Sequence, residues 1–398
     1  MAGIDYENLN AVLFYLGDEG EVKDAVLLNT KEMKKLSEEE YKDIIPPAPG
    51  GYAEAKIGGK NAIALSTSDE SMRKSDALSE MFRIATHEPI HFYYQSEAEI
   101  TPDSNRTQTY PIDKNERIVR GMLYQNLVLA YENKDKEDEY LGKAKYWLEK
   151  WENDHNQAYK EIKYTDIVES TARYAENMGT FIGTATSQEQ IDEGANKNIV
   201  RDKLFITSDD ESYEIGYVAA LLLDRRVPDW KNNFYAKGAT IDEVLLENVP
   251  SISDEVNPEL EAKITKGIQE YNEKVGKTIE DLVNLKDNIN TPILKLEVSK
   301  STSSMNATDM IRYDEKHVSA NYENRFKADG KAIEVKKVNV FEDADEEGNQ
   351  YIYVPLIMDH EFKDGILTVK GDKLLVDSIK VETLQEDGRT VYLIKVSE

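Results

Sequence analysis

The stretch RIATHEPIHFYYQ, Arg83–Gln95, decides what kind of fold to expect. It places His87 and His91 four residues apart in an apolar pattern of helical period. Side chains at this spacing project from one face of a helix, about one turn apart, and suit two corners of a tetrahedral zinc site. Glu88 projects toward the same opening, where it can take a proton from metal-bound water without being a ligand. The stretch therefore predicts a metal-binding helix.

Pro89 is the residue of this stretch that opposes the prediction. A proline inside a helix removes one backbone hydrogen bond and clashes with the carbonyl four residues back, here that of Ala85, at a cost of about 3 kcal/mol. Either the helix kinks at 85–89 and keeps both histidines on one side, or a new helix starts at Pro89 and leaves His87 outside. The apolar pattern keeps its phase through the proline, which favours the kink. Two helix histidines that pack or meet solvent without a metal are the remaining interpretation.

The hydrophobic pattern divides the chain into three regions and predicts the α+β class. Residues 1–70 alternate short apolar runs with turns such as PPAPGG, which indicates a small β-rich section. Residues 71–288 have helical periodicity, and residues 289–398 return to alternating runs separated by turns that carry Gly and Asp. We therefore expect a helical region followed by a C-terminal all-β domain of sandwich type.

Composition excludes several classes of function. The 398 residues carry a net charge of −28, with 40% hydrophobic and 32% charged residues, which is typical of a soluble globular protein. So acidic a chain repels a polyanion, and we expect no nucleic-acid partner. No apolar run approaches the roughly 18 residues of a membrane-spanning helix. The absence of cysteine excludes disulfides and thiolate chemistry.

A zinc site needs a third protein ligand, and no histidine or cysteine lies near enough in sequence to offer one. Glu169, in DIVESTARYAE, is the candidate. On a helix it shares a face with Ala172, whose small side chain would let that helix approach the histidine helix closely. Taken alone, a surface glutamate is the better interpretation, because this chain has very many of them.

Three short motifs follow one another in a recognisable order. HEPIH at 87–91, ESTA at 169–172 and YEIG at 213–216 together resemble the motif set of the gluzincin metallopeptidases, the group that includes the zinc aminopeptidases. Those proteins carry HExxH on one helix and a ligand glutamate in ExxA on a later helix. A tyrosine in YExG opens a further apolar helix. The resemblance covers residues 75–226.

The resemblance implies a zincin-like catalytic region, zinc as the cofactor and a role for each motif residue. His87, His91 and Glu169 would be the zinc ligands, and Glu88 would be the general base. Tyr213 would donate a hydrogen bond to the oxyanion that forms when water attacks a carbonyl. The chemistry of the residue types agrees, because three ligands leave one position for water and a phenol stabilises charge without competing for zinc.

The chain also departs from the family pattern. The segment between His91 and Glu169 is much longer than is usual there, and its surplus holds expected helices at 114–132 and 137–162, which we interpret as an inserted hairpin. The second of these helices has His155 on its apolar stripe, which predicts a core or interface histidine. The amine-recognition motif of the aminopeptidases is missing before the histidine helix, so exopeptidase specificity does not carry over.

Two neighbours of the motif residues are alternative candidates. Tyr217 lies one turn after Tyr213 and could replace it, although packing in the core is the preferred interpretation. Arg173 lies one turn after Glu169 and could orient that carboxylate or bind a carboxylate of the substrate. An ordinary i, i+4 salt bridge is the preferred interpretation.

The leading hypothesis is a zinc metallopeptidase that hydrolyses a peptide or protein substrate. The alternative is a catalytically inactive surface-binding protein on a zincin scaffold, whose β domain carries the interaction. The first residues lack the basic start and apolar core of a signal peptide, which by itself indicates the cytoplasm. We nevertheless expect an extracellular or cell-surface location, because an acidic, cysteine-free chain with an accessory β domain suits it.

Overall fold

The computed structural model describes residues 4–17, 20–28, 33–298, 307, 309–314, 316–345 and 347–396. The chain forms two compact units. The first comprises the chain up to Arg106 together with Lys114–Thr265, and the second comprises Thr107–Asp113 together with Lys266–Glu398. A small N-terminal sheet, a helical middle and a C-terminal all-β region confirm the predicted α+β class.

The first unit begins with a sheet of five described strands, ordered β3-β2-β1-β5-β4. The strands are β1 (Asn10–Leu16), β2 (Val22–Leu28), β3 (Met33–Lys35), β4 (Tyr52–Ile57) and β5 (Lys60–Thr67), and the short helix α1 (Glu38–Tyr41) lies between β3 and β4. Burial alternates along β1, and its inward side chains form a core with those of the neighbouring strands. Strand β5 pairs with β1 in parallel and with β4 in antiparallel orientation, and β4 stands at the edge of the sheet.

The helical part of the first unit follows this sheet. Its helices are α2 (Ala77–Tyr94), α3 (Lys114–Glu132), α4 (Glu137–Asp154), α5 (Asn156–Thr184), α6 (Gln188–Lys197), α7 (Asp209–Arg226), α8 (Ile241–Leu246) and the start of α9 (Pro258–Asp287). Helix α5 packs against both α2 and α7, and α3 packs against both α4 and α7. Helix α5 is therefore the element that joins the histidine helix to the helix of the tyrosine motif.

Helix α2 runs through Pro89 without interruption. The alternative in which a new helix starts at this proline is therefore wrong, and His87 lies inside the same helix as His91. The buried positions of α2 include His87 and Pro89, whereas Leu78 and Phe82 of the apolar pattern are 69% and 46% exposed. The side of α2 that packs into the protein is thus the side that carries the histidines.

One predicted helix boundary is wrong. We expected a single helix over 137–162, but α4 ends at Asp154 and α5 begins at Asn156. His155 is the residue between them, with φ −126° and ψ 39°, and its ring lies 5.8 Å from that of Trp151. Asp, His and Asn are weak helix formers. The side-chain amide of Asn156 also donates to the carbonyl of Glu152, and both features favour a break at this point.

A close contact between α5 and α7 depends on Gly216. A Cβ at this position would lie 1.9 Å from the Cβ and 3.0 Å from the Cα of Ser170. Only a glycine permits this approach, because real Cβ atoms do not come so near to another carbon. Since Ser170 follows Glu169 and Gly216 lies one turn after Tyr213, the contact holds these two motif residues near each other.

Replacing Gly216 by alanine is therefore expected to destabilise the protein by about 3 kcal/mol, the upper range for overpacking a buried contact. Adding Ser170→Gly should restore part of the loss, because it removes the overlapping Cβ. Urea denaturation of the single and double variants measures both effects. Gly183→Ala is the matched control, since nothing lies within 4 Å of a Cβ there and alanine favours a helix. A Gly216→Ala variant as stable as this control would contradict the prediction.

The two helices that we interpreted as an inserted hairpin are part of the core. Arg117 and Arg120 of α3 are only 3% and 1% exposed. Arg120 Nη2 donates to Asp166 Oδ1 over 2.8 Å, and Arg117 Nη1 donates to Glu211 Oε1 over 2.7 Å. Ser212 Oγ also donates to Asp166, over 2.6 Å. Because losing one partner of a buried ion pair is costly, these bonds fix α3 against both α5 and α7.

The second unit contains the C-terminal strands and one short strand from the middle of the chain. Its eleven described strands form one hydrogen-bonded sheet, in which β6 pairs with β8 and β7 with β16 in parallel, while the other pairs are antiparallel. The strands are β6 (Gln108–Thr109), β7 (Ile293–Glu297), β8 (Asp309–Tyr313), β9 (Lys316–Ala328), β10 (Lys331–Ala344), β11 (Gln350–Pro355), β12 (His360–Lys363), β13 (Ile366–Lys370), β14 (Leu374–Lys380), β15 (Glu382–Glu386) and β16 (Arg389–Lys395).

The end of α9 belongs to this second unit. Val275, Ile279 and Leu282 are buried against strand residues such as Val318 and Phe341. The expected region boundary at 288/289 therefore falls at the end of a helix whose last turns already pack on the strands. Across the described ranges, none of the helices is both long and apolar enough to span a membrane.

Candidate metal centre

The structure brings the two histidines and the glutamate of the first two motifs together. His87 Nε2 lies 3.3 Å from Glu169 Oε2, and His91 Nε2 lies 3.4 Å from the same oxygen. The two Nε2 atoms are 3.1 Å apart. His87 and Glu169 are buried, and His91 is partly buried. Three potential ligand atoms thus point at one another across the contact between α2 and α5.

The separations of these three atoms fit a zinc ion. Ligand atoms about 2.0–2.2 Å from a tetrahedral zinc lie about 3.3–3.6 Å from one another. The observed separations of 3.1, 3.3 and 3.4 Å are close to this edge length. Two imidazoles and one carboxylate are also a donor set that catalytic zinc sites use, with the fourth position left for water. The residues present therefore fit zinc.

Each histidine has a partner on its other ring nitrogen. His87 Nδ1 lies 3.0 Å from Glu176 Oε2, and His91 Nδ1 lies 2.7 Å from Gln95 Oε1. Gln95 is itself held, because its Nε2 donates to the carbonyl of Val168 over 2.7 Å. Acceptors at Nδ1 favour the tautomer whose Nε2 lone pair is available to a metal.

Sequence reasoning missed both of these partners, although a signal was present. Gln95 lies one turn after His91 on the histidine helix. Glu176 lies two turns after Glu169 on α5. Both positions share a helix face with a proposed ligand, so the spacing that identified the ligands could also have identified their partners.

Arg173 has partners other than those that its candidate roles require. Its Nη1 lies 3.1 Å from Glu176 Oε1 and its Nη2 lies 3.4 Å from Glu214 Oε1. Arg83 Nε donates to the same oxygen of Glu176 over 2.7 Å. Arg173 thus forms a salt bridge within its own helix, but it is an i, i+3 pair with Glu176 and not the preferred i, i+4 pair. The two arginines hold the carboxylate that in turn orients His87.

Glu88 lies beside the three ligand atoms and is bonded to the edge strand of the N-terminal sheet. The hydroxyl of Tyr52, on β4, hydrogen-bonds to its carboxylate. Burial raises the pKa of Glu88, although the neighbouring histidines and this hydrogen bond oppose the rise. Burial and the carboxylate together raise the pKa of Tyr52 to about 12. A carboxylate with a raised pKa next to the ligands suits a general base.

Tyr213 lies in the first turns of α7. Its ring centroid is 6.0 Å from that of His87, and its hydroxyl accepts a hydrogen bond from Arg106 Nη2 over 3.2 Å. Burial raises the pKa of the phenol, so it stays protonated and can donate. Tyr217 is fully buried and donates to the carbonyl of Ala195 over 3.0 Å, so it packs in the core as preferred.

The charges of His87 and of the two carboxylates beside it affect one another. Burial alone would lower the pKa of His87. Its hydrogen bonds to Glu169 and Glu176 together have the larger effect, and the pKa is raised to about 9. Burial would raise the pKa of Glu169, but its bonds to the two histidines and the charge of Arg106 hold it well below the usual range. These contacts thus favour the charged forms of both Glu169 and His87.

A recess of about 360 Å³ opens beside His87. His87, Glu88 and Tyr213 form part of its lining. The charged residues that complete the lining are Glu80, Arg83, Arg173, Glu176, Asp210 and Glu214. The recess is large enough for an amino-acid side chain, and its occupant would lie next to three of the motif residues.

No protein-family model, curated protein or solved structure matches this chain. The interpretation of the site therefore depends on its own geometry and on the order of the three motifs. That geometry unites all five residues expected from the sequence: His87, Glu88, His91, Glu169 and Tyr213.

Proposed function

We propose that the protein is a zinc-dependent metallopeptidase of the gluzincin type. The observation that carries the proposal is the triangle of His87 Nε2, His91 Nε2 and Glu169 Oε2, with edges of 3.1–3.4 Å. Glu88 and Tyr213 line the same recess as His87. A metal-ligand triangle, with a base and a phenol near one of its histidines, supplies the groups that hydrolysis of a peptide bond requires.

In this proposal each residue has one task. His87, His91 and Glu169 hold zinc, which supplies Lewis-acid activation of a water and of the peptide carbonyl when bound. Glu88 accepts the proton of the attacking water at its carboxylate and passes it to the nitrogen of the leaving amine. Tyr213 donates its phenolic hydrogen to the carbonyl oxygen as negative charge develops there.

Zinc stoichiometry and proteolysis test the proposal together. The purified protein is expected to bind about one zinc per chain and to cleave an unstructured protein substrate in a reaction that a chelator stops. Zinc binding without cleavage would favour the alternative, a binding protein on a zincin scaffold. The absence of zinc binding would remove the basis of both interpretations.

Zinc binding is also expected to release about one proton per chain from His87 between pH 7 and 8, besides the proton that zinc-bound water loses in this range. The pKa of His87 is raised to about 9 in the metal-free protein, so its imidazole is protonated in this range. Zinc takes only the neutral imidazole, so the proton must leave. Release should decline as the pH rises through 9, where His87 is already neutral. Calorimetric titration with zinc in two buffers of different ionisation enthalpy measures it, and equal heats in the two buffers would contradict the prediction.

A further inference from the structure

Arg106 is a residue at the candidate metal centre to which no motif assigns a task. It lies between α2 and α3, and its side chain is about half exposed, at 50%. Its Nη1 donates to Glu169 Oε1 over 2.6 Å, and its Nη2 donates to Tyr213 Oη over 3.2 Å. One guanidinium thus bridges the proposed third ligand and the proposed oxyanion donor.

The two oxygens of Glu169 have different partners. Oε2 faces the two histidine Nε2 atoms, at 3.3 and 3.4 Å, and Oε1 faces Arg106. This carboxylate and the phenol of Tyr213 lie close together because both accept from Arg106, so the carboxylate and a substrate oxygen would compete for the phenolic proton. Arg106 weakens that competition, because it occupies Oε1 with a charged donor at short distance.

The bond from Arg106 to Tyr213 also favours donation of the phenolic proton to the substrate. A phenolic oxygen that accepts a hydrogen bond can still donate its own proton, and the acceptor bond polarises the O–H group. The positive charge of the guanidinium also lies beside the oxygen that would donate to a developing oxyanion. Such fixed charges are most effective where they face charge that appears only in the transition state.

We propose that Arg106 is a positioning residue, which holds the outer oxygen of Glu169 and leaves the proton of Tyr213 free for the substrate carbonyl. This inference depends on the proposed hydrolytic function. The planar guanidinium presents its two donors in a fixed fork, a geometry that the single ammonium of a lysine does not reproduce.

A double-variant cycle with Tyr213 tests the inference. Arg106→Gln is expected to lower kcat about 10- to 100-fold with KM changed less than about threefold, and Tyr213→Phe to lower kcat about 10²- to 10³-fold. Because Arg106 acts through the phenol, the double variant should be no slower than Tyr213→Phe within about threefold. Arg106→Lys should lie between Arg106→Gln and the unaltered protein.

A second readout does not require turnover. A peptide phosphonamidate mimics the tetrahedral transition state, and its affinity for the zinc-loaded protein can be measured by calorimetry. Arg106→Gln should weaken its binding by about the same factor as kcat, with no further loss in the double variant. The affinity of an unmodified peptide for the zinc-loaded Glu88→Gln variant should be unchanged when Arg106→Gln is added.

Two controls accompany these measurements. Arg201→Gln removes an arginine of similar exposure that pairs with Glu132, and it should leave kcat and the phosphonamidate affinity unchanged. Zinc content is measured for every variant, so that loss of the metal is not mistaken for loss of positioning.

Several outcomes would overturn the inference. Losses from Arg106→Gln and Tyr213→Phe that add up in the double variant would show that Arg106 does not act through the phenol. A change confined to KM would show that it binds substrate instead. If the protein binds zinc but cleaves nothing, the proposed function fails, and the phosphonamidate affinities alone decide the role of Arg106. Absence of zinc and of phosphonamidate binding would overturn both.

Discussion

Replacing Glu88 by glutamine is expected to lower kcat about 10³-fold or more while the protein keeps about one zinc per chain. The amide has nearly the shape of the carboxylate but cannot accept a proton, so only the transfer of protons from water to the leaving amine is lost. The zinc ligands are not altered, because Glu88 contributes none of the three ligand atoms. Steady-state kinetics on a peptide substrate and metal analysis of the same sample measure the two effects.

Glu97→Gln is the control for this experiment. Glu97 is exposed and lies just beyond the end of α2, so the substitution makes the same change of charge outside the site. Its activity should equal that of the unaltered protein. Activity retained in Glu88→Gln would exclude the glutamate-base mechanism, whatever the zinc content.

Replacing Glu169 by glutamine is expected to remove both zinc and activity. The substitution leaves two imidazoles as strong ligands and takes away the only negative charge among the three ligand atoms. A ligand at a thousand times its Kd stabilises a protein by about 4 kcal/mol, so zinc should raise the thermal midpoint of the unaltered protein clearly. The variant should show almost no zinc-dependent rise. Thermal unfolding with zinc and with a chelator measures this difference.

Glu189→Gln, in the exposed first turn of α6, is the matched change of charge and should keep the full zinc response. A Glu169→Gln variant that retains one tightly bound zinc would show that the carboxylate is not a ligand. The gluzincin proposal would then lose its third ligand, and the order of the motifs would have no structural meaning.

Much of the candidate site could be predicted because its residues follow helical spacing. His87 and His91 lie one turn apart on α2, and Glu169 and Tyr213 each belong to a short motif on a later helix. The small residues of those motifs have a packing role: Ala172 is fully buried against Ile90 of α2. A local pattern can contain this information, since it depends on which side chains share a face and on how closely two helices approach.

The residues that sequence reasoning missed come from elements without such a period. Tyr52 lies on an edge strand, and Arg106 lies between helices in sequence. Tertiary folding alone brings them to Glu88 and Tyr213. Their side chains have no fixed spacing from the motif residues, and a tyrosine or arginine outside a pattern is common in any chain. Their roles depend on contacts over long sequence distances, which no local pattern records.

The fold shows the same division between local and distant information. Alternating runs identified the strands of the second unit, but pairing of β7 with β16 joins segments almost a hundred residues apart and is not visible in either segment. The break at His155 was missed for another reason, because the apolar period continues across it while the backbone does not. Pattern reasoning finds which residues are buried more readily than where a helix ends.

The division of the chain between its two units has a consequence for how the protein can be made. Strand β6 precedes most of the first unit in sequence, yet pairs with β8, and Asn272 of α9 bonds to the backbone of Ile112 over 2.9 and 3.1 Å. A ribosome therefore releases this short piece of the second unit long before the rest of that unit exists. No single cut separates the two units into complete fragments, and a C-terminal fragment that starts at residue 266 still lacks its segment 107–113.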